Sequence, residues 1–143
     1  MTVTTNVDTT SGARLRLALT RVLRTLRRHG RSSLTPSQVS ALSTLEDLGA
    51  MRISAIATNE SLGAPAATRV VASLEELGLV QRTSDPDDKR ASLIDLTELG
   101  RNTLNDLWRE RTLDINAMLE GLTTKERASI EAALPALEKI ARY

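Results

Sequence analysis

The sequence predicts a mainly α-helical fold carrying one small β-hairpin, and three observations predict it. Apolar residues recur at the three- and four-residue spacing of amphipathic helices through most of the chain. The core must be built from Leu, Ile, Val and Ala, because 41% of the 143 residues are apolar yet there is no Phe, one Trp and one Tyr. That composition suits helix packing better than a β-sandwich. Finally, two short strand-forming runs, LVQRTS and ASLIDLT, flank the turn DPDDKR.

Each element follows in order. Residues 1–12, MTVTTNVDTTSG, are expected to be a disordered start, lacking the basic beginning and apolar middle of a signal peptide. From Arg14 to Gly30, Leu15, Ala18, Leu19, Val22, Leu23 and Leu26 fall within an arc of about 140° at about 100° per residue. The opposite side carries Arg14, Arg21, Arg24, Arg28 and Arg31, which fits a solvated face or phosphate contact and is no nucleic-acid signal by itself. Thr35 and Pro36 are an N-cap and a first helical residue, predicting a helix from 36 to about 48 with Val39, Leu42, Leu45 and Leu48 inward. A shorter helix follows over ISAIATNESLG, residues 53–63, and another over about 65–77, from Pro65 to the stop at Gly78, with Ala67, Val70, Val71, Leu74 and Leu77 on one face. After the hairpin, Thr97 caps a helix over about 98–120, and TTKE, Thr123 to Glu126, is a capping box for the last helix, which contains Pro135.

Two short helices joined at a Gly are the pattern of a helix-turn-helix, and the hairpin after the second makes it a winged helix-turn-helix. The expected organisation is one domain over 13–143. In it, 35–97 form the winged helix-turn-helix, with a recognition helix at about 65–77 and a wing at about 79–97, while 13–34 and 98–143 supply dimerisation helices.

Charge is uneven beneath a net +1: residues 1–31 carry seven Arg against Asp8, residues 83–100 carry two bases against five acids, and residues 101–143 balance seven against seven. Overall charge therefore argues neither for nor against a nucleic-acid partner. With no Cys, disulfides, thiolate metal sites and thiol redox sensing are excluded, and a reducing cytoplasm is the default location. No apolar run reaches bilayer length, so no membrane role is expected. One His, no Cys and no Gly-rich phosphate loop leave no spacing that points to catalysis, so the chain reads as a non-enzyme without a cofactor.

The segments LTPSQVSALSTL, ISAIA, TRVVASLEELGLVQR and DPDDKRASLIDLTELGR, in this order and spacing, resemble the multiple-antibiotic-resistance regulator (MarR) family of bacterial transcription factors. The resemblance spans about residues 13–142. It implies an obligate homodimer that binds a roughly palindromic operator in double-stranded DNA, with repression as the family's default. Leu15, Leu19, Val22 and Leu26 at one end, and Ile130, Leu134, Leu137 and Ile140 at the other, form apolar stripes suited to that dimer.

With Ala67, Val70, Val71 and Leu74 inward, Pro65, Ala66, Thr68, Arg69 and Ser73 face DNA. Arg69 is suited to guanine N7 and O6, and Thr68 to a phosphate or thymine methyl unless its hydroxyl is bonded to its own helix. Ser73 stands where many relatives carry Arg, and Arg52 where a Ser or Thr cap is common. A calcium loop beginning at Asp85 would need Gly and Glu where Arg90 and Leu96 stand, so that reading fails. In the wing reading Arg90 is the fingertip for the minor groove, Asp88 holds its guanidinium, Lys89 adds a phosphate contact, and Asp85 and Asp87 shape the turn. The resemblance further implies release by a small aromatic or phenolic effector, for which His29, Trp108 and Arg111 are candidate contacts. The competing function is a winged-helix protein-interaction module with weak, nonspecific DNA binding.

Overall fold

The computed structural model describes residues 9–29 and 32–141, without the side chains of Thr9 and His29. Six helices and one hairpin follow in the order α1 (Thr9–His29), α2 (Pro36–Leu48), α3 (Ile53–Asn59), α4 (Ala64–Glu76), β1 (Val80–Ser84), β2 (Ser92–Leu96), α5 (Glu98–Glu120) and α6 (Thr124–Ile140). The chain divides into two compact units, one over Ser32–Arg109 and one joining the N-terminal segment to Glu110–Tyr143.

In the first unit, α2 starts where sequence chemistry places it. The Thr35 hydroxyl accepts the Gln38 amide at 3.3 Å while Gln38 Oε1 accepts the Thr35 amide at 2.8 Å, a reciprocal capping box that satisfies two otherwise unpaired donors. Helix α3 has the expected two turns but ends at Asn59, before Gly63. Ser61 adopts a φ of 52° and the Leu62 amide folds back to the Ala57 carbonyl at 2.8 Å, which ends the helical ladder early. After α4, Gly78 at φ 71° reverses the chain into β1, a left-handed turn that disfavours any side chain.

The two strands pair antiparallel from Val80 opposite Leu96 to Ser84 opposite Ser92. Met51 joins the sheet through a bridge to Ile94, exchanging amide-carbonyl bonds of 3.1 and 2.8 Å. The wing is thus stitched to the segment between α2 and α3. Leu42, Ile56, Val71, Leu74, Ile94, Leu96 and Leu104 fill one core contributed by α2, α3, α4, β2 and α5. Leu48 and Leu77, read as inward, are 64% and 49% exposed, since each closes a helix beyond the packed layer.

The start of α5 explains the spacing of LT..G. Thr97 Oγ1 accepts the Gly100 amide at 3.0 Å and donates to the Gly78 carbonyl at 2.6 Å, while the Thr97 amide donates to the Leu79 carbonyl at 3.1 Å. A Cβ on Gly100 would lie 2.0 Å from that same Leu79 oxygen. Only glycine fits there, because the chain leaving α4 lies directly on the first turn of α5.

In the second unit, α1 begins at Thr9, earlier than the Arg14 start suggested by the polar composition of Thr9–Gly12. Once a helix is nucleated, adding residues at its end gains one hydrogen bond for each residue fixed. The expected disorder of residues 1–8 lies outside the described residues. Helix α6 has its capping box, with Thr123 Oγ1 accepting the Glu126 amide at 3.3 Å and Glu126 Oε2 accepting the Thr123 amide at 2.9 Å. The Thr123 amide first, and the Thr123 hydroxyl donating to the same Oε2 at 2.8 Å second, hold the Glu126 carboxyl below its usual range. The helix continues through Pro135, and Arg127 ties its first turn to the Leu119 carbonyl at 2.9 Å.

Buried residues are scarce in this second unit. None of the residues of α6 is buried. Leu15, Leu19, Val22, Ile130, Leu134 and Ile140 are between 37% and 57% exposed, and Leu137 is half-buried. Leu26 departs from the expected dimer stripe: it is already buried within the chain, which removes most of its surface from use by a second copy. No helix among the described residues is long and apolar enough to cross a membrane.

Candidate nucleic-acid interface

Helix α4 presents its N-terminal half outward. Ala67, Val71 and Leu74 are buried, while Pro65, Thr68 and Arg69 are exposed and Ala66 is half-buried. Gly63 caps the helix without a side-chain bond, which leaves its first turn unobstructed. Among the described residues no carboxylate lies within ion-pair distance of the Arg69 side chain. Arg69 therefore carries an unneutralised guanidinium on an apolar-anchored helix.

Two hydroxyls named for DNA contact are engaged elsewhere. Thr68 Oγ1 donates to the Ala64 carbonyl at 2.9 Å, the helix back-bond, although the side chain remains exposed and its methyl available. Ser73 is turned inward: its hydroxyl donates to the Val70 carbonyl at 2.7 Å and accepts from Gln38 Nε2 at 3.0 Å. Ser73 thus locks α4 to α2, and the exposed neighbour at that level of the helix is Ala72. The contact geometry corrects its expected role at DNA, because a half-buried hydroxyl with two internal partners has little left to offer.

The wing turn is held by its acids. Asp85, buried to 6% exposure, divides its carboxylate: Oδ1 accepts the Asp87 amide at 2.9 Å, and Oδ2 accepts Arg52 Nε and Nη2 at 2.8 and 2.6 Å. The Asp87 amide first, and the Arg52 guanidinium second, hold the Asp85 carboxyl below its ordinary range, while Asp85 holds Arg52 yet more firmly protonated. Backbone bonds from the Asp85 amide to the Ala91 carbonyl (3.1 Å) and from the Ala91 amide to the Asp88 carbonyl (2.9 Å) close the turn.

Asp88 supports Arg90 in a different way from that expected. Its Oδ1 accepts the Arg90 backbone amide at 3.0 Å, and its Oδ2 lies 3.9 Å from Arg52 Nη2. Among the described residues no carboxylate pairs with the Arg90 guanidinium. The correction is physical: a two-residue separation suits an Asx bond to the backbone, which fixes the turn and leaves the long side chain outside it. Lys89 and Arg90 are both exposed at the tip.

Two structural ties escaped the sequence reading. Arg82 on β1 forms a two-pronged pair with Glu75 on α4, at 2.8 and 3.0 Å, which braces the wing against the recognition helix. Arg52 reaches Asp85 across 33 residues of chain. Its placement had one visible signal: a long cation where a short capping hydroxyl is common, and indeed the Arg52 side chain makes no cap bond to α3.

This arrangement is what a double-helix reader needs, an exposed helix start for one groove and a hairpin turn that exposes Lys89 and Arg90. The MarR family profile matches residues 34–92, the stretch that holds both. An HTH-type transcriptional regulator of Mycobacterium tuberculosis is 36% identical over 120 residues, covering 83% of this chain and 84% of its own. The chain belongs to the MarR family. A MarR family protein from Bacillus stearothermophilus shares the fold with a TM-score of 0.76 at 24% identity, covering 96% of this chain and 99% of its own. Apo wild-type MarR from E. coli does so at 0.73 and 23%, covering 88% and 95%. As a MarR-family chain, the protein is a DNA-binding transcriptional regulator and not an enzyme.

The residues named for an effector are divided between the two units: Trp108 belongs to the winged one, His29 and Arg111 to the helical one. Trp108 is 41% exposed and Arg111 is half-buried, while the side chain of His29 lies outside the described residues.

Proposed function

We propose that the protein is a homodimeric, sequence-specific repressor that works in the cytoplasm on a pseudo-palindromic operator. The observation that carries this reading is the pairing of an unneutralised Arg69 on the outward start of α4 with exposed Lys89 and Arg90 on a turn that Asp85 and Asp88 hold closed. Arg69 reads a guanine edge in the major groove, and Arg90 enters the adjoining minor groove. Dimerisation is supported by the apolar side chains that α1 and α6 leave exposed, Leu15, Leu19, Val22, Ile130, Leu134 and Ile140. A second copy related by a two-fold axis would cover them and set two recognition helices on two half-sites.

The test is selection of genomic fragments by the purified chain at about physiological salt, then titration of the best duplex against a scrambled one. A specific regulator shows a preference of about a thousandfold or more. Enrichment of an inverted repeat, weakened by Arg69→Ala, supports the reading. Equal binding to all duplexes by a folded dimer would instead assign the chain to protein interaction.

Release by a small aromatic or phenolic effector completes the proposal, with Trp108 as the contact to test. Thermal stabilisation by salicylate-type compounds, lost in Trp108→Ala, is the expected result. No shift across a broad panel removes the effector from the account.

A further inference from the structure

One arginine reaches the wing from outside it. Arg52 is the N-cap residue of α3: its carbonyl accepts the Ala55 and Ile56 amides at 3.0 and 3.1 Å, while its side chain, 47% exposed, makes no cap bond. Its guanidinium instead turns to the base of the wing, placing two nitrogens on the single oxygen Asp85 Oδ2. The other oxygen of Asp85 holds the Asp87 amide, and Asp88, which holds the Arg90 amide, has its free oxygen 3.9 Å from the same guanidinium. Arg52 is therefore the point at which both turn-forming aspartates meet the helix-turn-helix body.

The charge balance gives that point a purpose. Asp85, Asp87 and Asp88 stand within the same short turn as Lys89 and Arg90, so the wing's own segment is net negative. Unopposed, those acids would repel one another and a phosphate backbone alike. Arg52 neutralises the buried one and draws on the second. A hairpin tip without such a brace would sample many orientations, and every contact it made would have to overcome the entropy of ordering it.

We propose that Arg52 is the positioning residue of the wing, holding the turn over 85–91 so that Lys89 and Arg90 are presented to DNA in a fixed geometry. The inference rests on the DNA-binding reading above. It differs from direct phosphate contact by Arg52, in which the guanidinium would act for itself and Asp85 would only weaken it.

The experiment is a mutant cycle on the full-length chain, titrated by fluorescence anisotropy against the selected duplex at one ionic strength. Single variants Arg52→Ala, Asp85→Asn and Arg90→Ala are compared with the doubles Arg52→Ala/Asp85→Asn and Arg52→Ala/Arg90→Ala. Positioning predicts that Arg52→Ala and Asp85→Asn each weaken binding by about five- to a hundredfold, the range of one lost groove contact, and that neither double is much worse than its worse single. Hydrogen exchange should rise over 85–91 in Arg52→Ala while the core segments of α2 and α4 stay protected, a selective change that general destabilisation would not give. If Arg52→Ala proves too unstable, Arg52→Lys replaces it: the charge is kept, the two-nitrogen grip is lost, and the same loss is expected.

Unchanged or tighter binding by Asp85→Asn beside weaker binding by Arg52→Ala overturns positioning in favour of direct contact. Losses that multiply in the doubles overturn it as well. Wild-type binding with both single variants at full affinity overturns positioning alone, whereas a wild-type chain with no preferred duplex overturns the DNA reading and this inference with it.

Discussion

The two units of the chain differ in how far each is finished by its own residues. The winged unit closes a core around Leu42, Ile56, Leu74, Ile94, Leu96 and Leu104, and its buried Gln38 and Asp85 have partners for their side chains. The helical unit has a well-capped α6 with no buried residue, and it leaves Ile130, Leu134 and Ile140 substantially exposed. Local chemistry is equally good in both, so capping and periodicity do not decide completeness. What decides it is whether each apolar face has something to lie against, and for α1 and α6 the proposed partner is a second copy.

The largest effect should come from breaking the finished unit at its tightest approach. Gly100→Ala sets a methyl against the Leu79 carbonyl oxygen, where a Cβ would be 2.0 Å away, and backbone must move to relieve it. A loss of about 3 kcal/mol or more is expected in chemical denaturation, at the upper end for overpacking. Breaking the unfinished unit should have a different signature. Leu134→Arg, at a residue already 45% exposed, should leave the winged unit folded by circular dichroism and convert dimers to monomers in sedimentation. Operator affinity should then fall by on the order of a hundredfold or more as the two half-sites lose their linkage.

Within the winged unit, Arg90→Ala should weaken operator binding by about 1–3 kcal/mol and lower the salt slope by about one, with dimerisation unchanged. Filter binding across a salt series separates those quantities. Acid should affect the wing through Asp85, which faces Arg52, Asp87 and Asp88. Its carboxyl is depressed in the folded chain, so its contribution is fully present above the ordinary value of about 3.9 and is lost as pH falls through the depressed one. Wing amide signals should hold steady from neutral pH to about 5 and broaden or shift only in stronger acid, and Asp85→Asn should abolish that transition. The smallest effect is Ser73→Ala. Its hydroxyl is spent on Val70 and Gln38, so about 0.5–1.5 kcal/mol of stability should go while operator affinity is preserved, and a large affinity loss would restore Ser73 to the DNA surface.

Much of this was legible in the chain. The caps at Thr35, Thr97 and Thr123, the stop at Gly78 and both strands follow from local rules that act over three or four residues, and they stand where those rules put them. What the sequence hid were ties between distant positions. Arg52 with Asp85, Gln38 with Ser73 and Arg82 with Glu75 depend on which helix crosses which strand, and no periodicity encodes that. Arg90 was recognisable as a tip residue, but the grip of Asp88 on its amide rather than its guanidinium required the closed turn. The inward turn of Ser73 was hidden for the same reason: on a helical wheel it lies at the margin of the buried face, and Gln38 decides the matter.

The account turns on a second copy completing what one chain leaves open, and sedimentation equilibrium of the wild-type chain, alone and with the selected duplex, tests that most directly. Two chains in solution and two chains on each duplex are the predicted result. A single chain at concentrations where the operator is fully bound would contradict it.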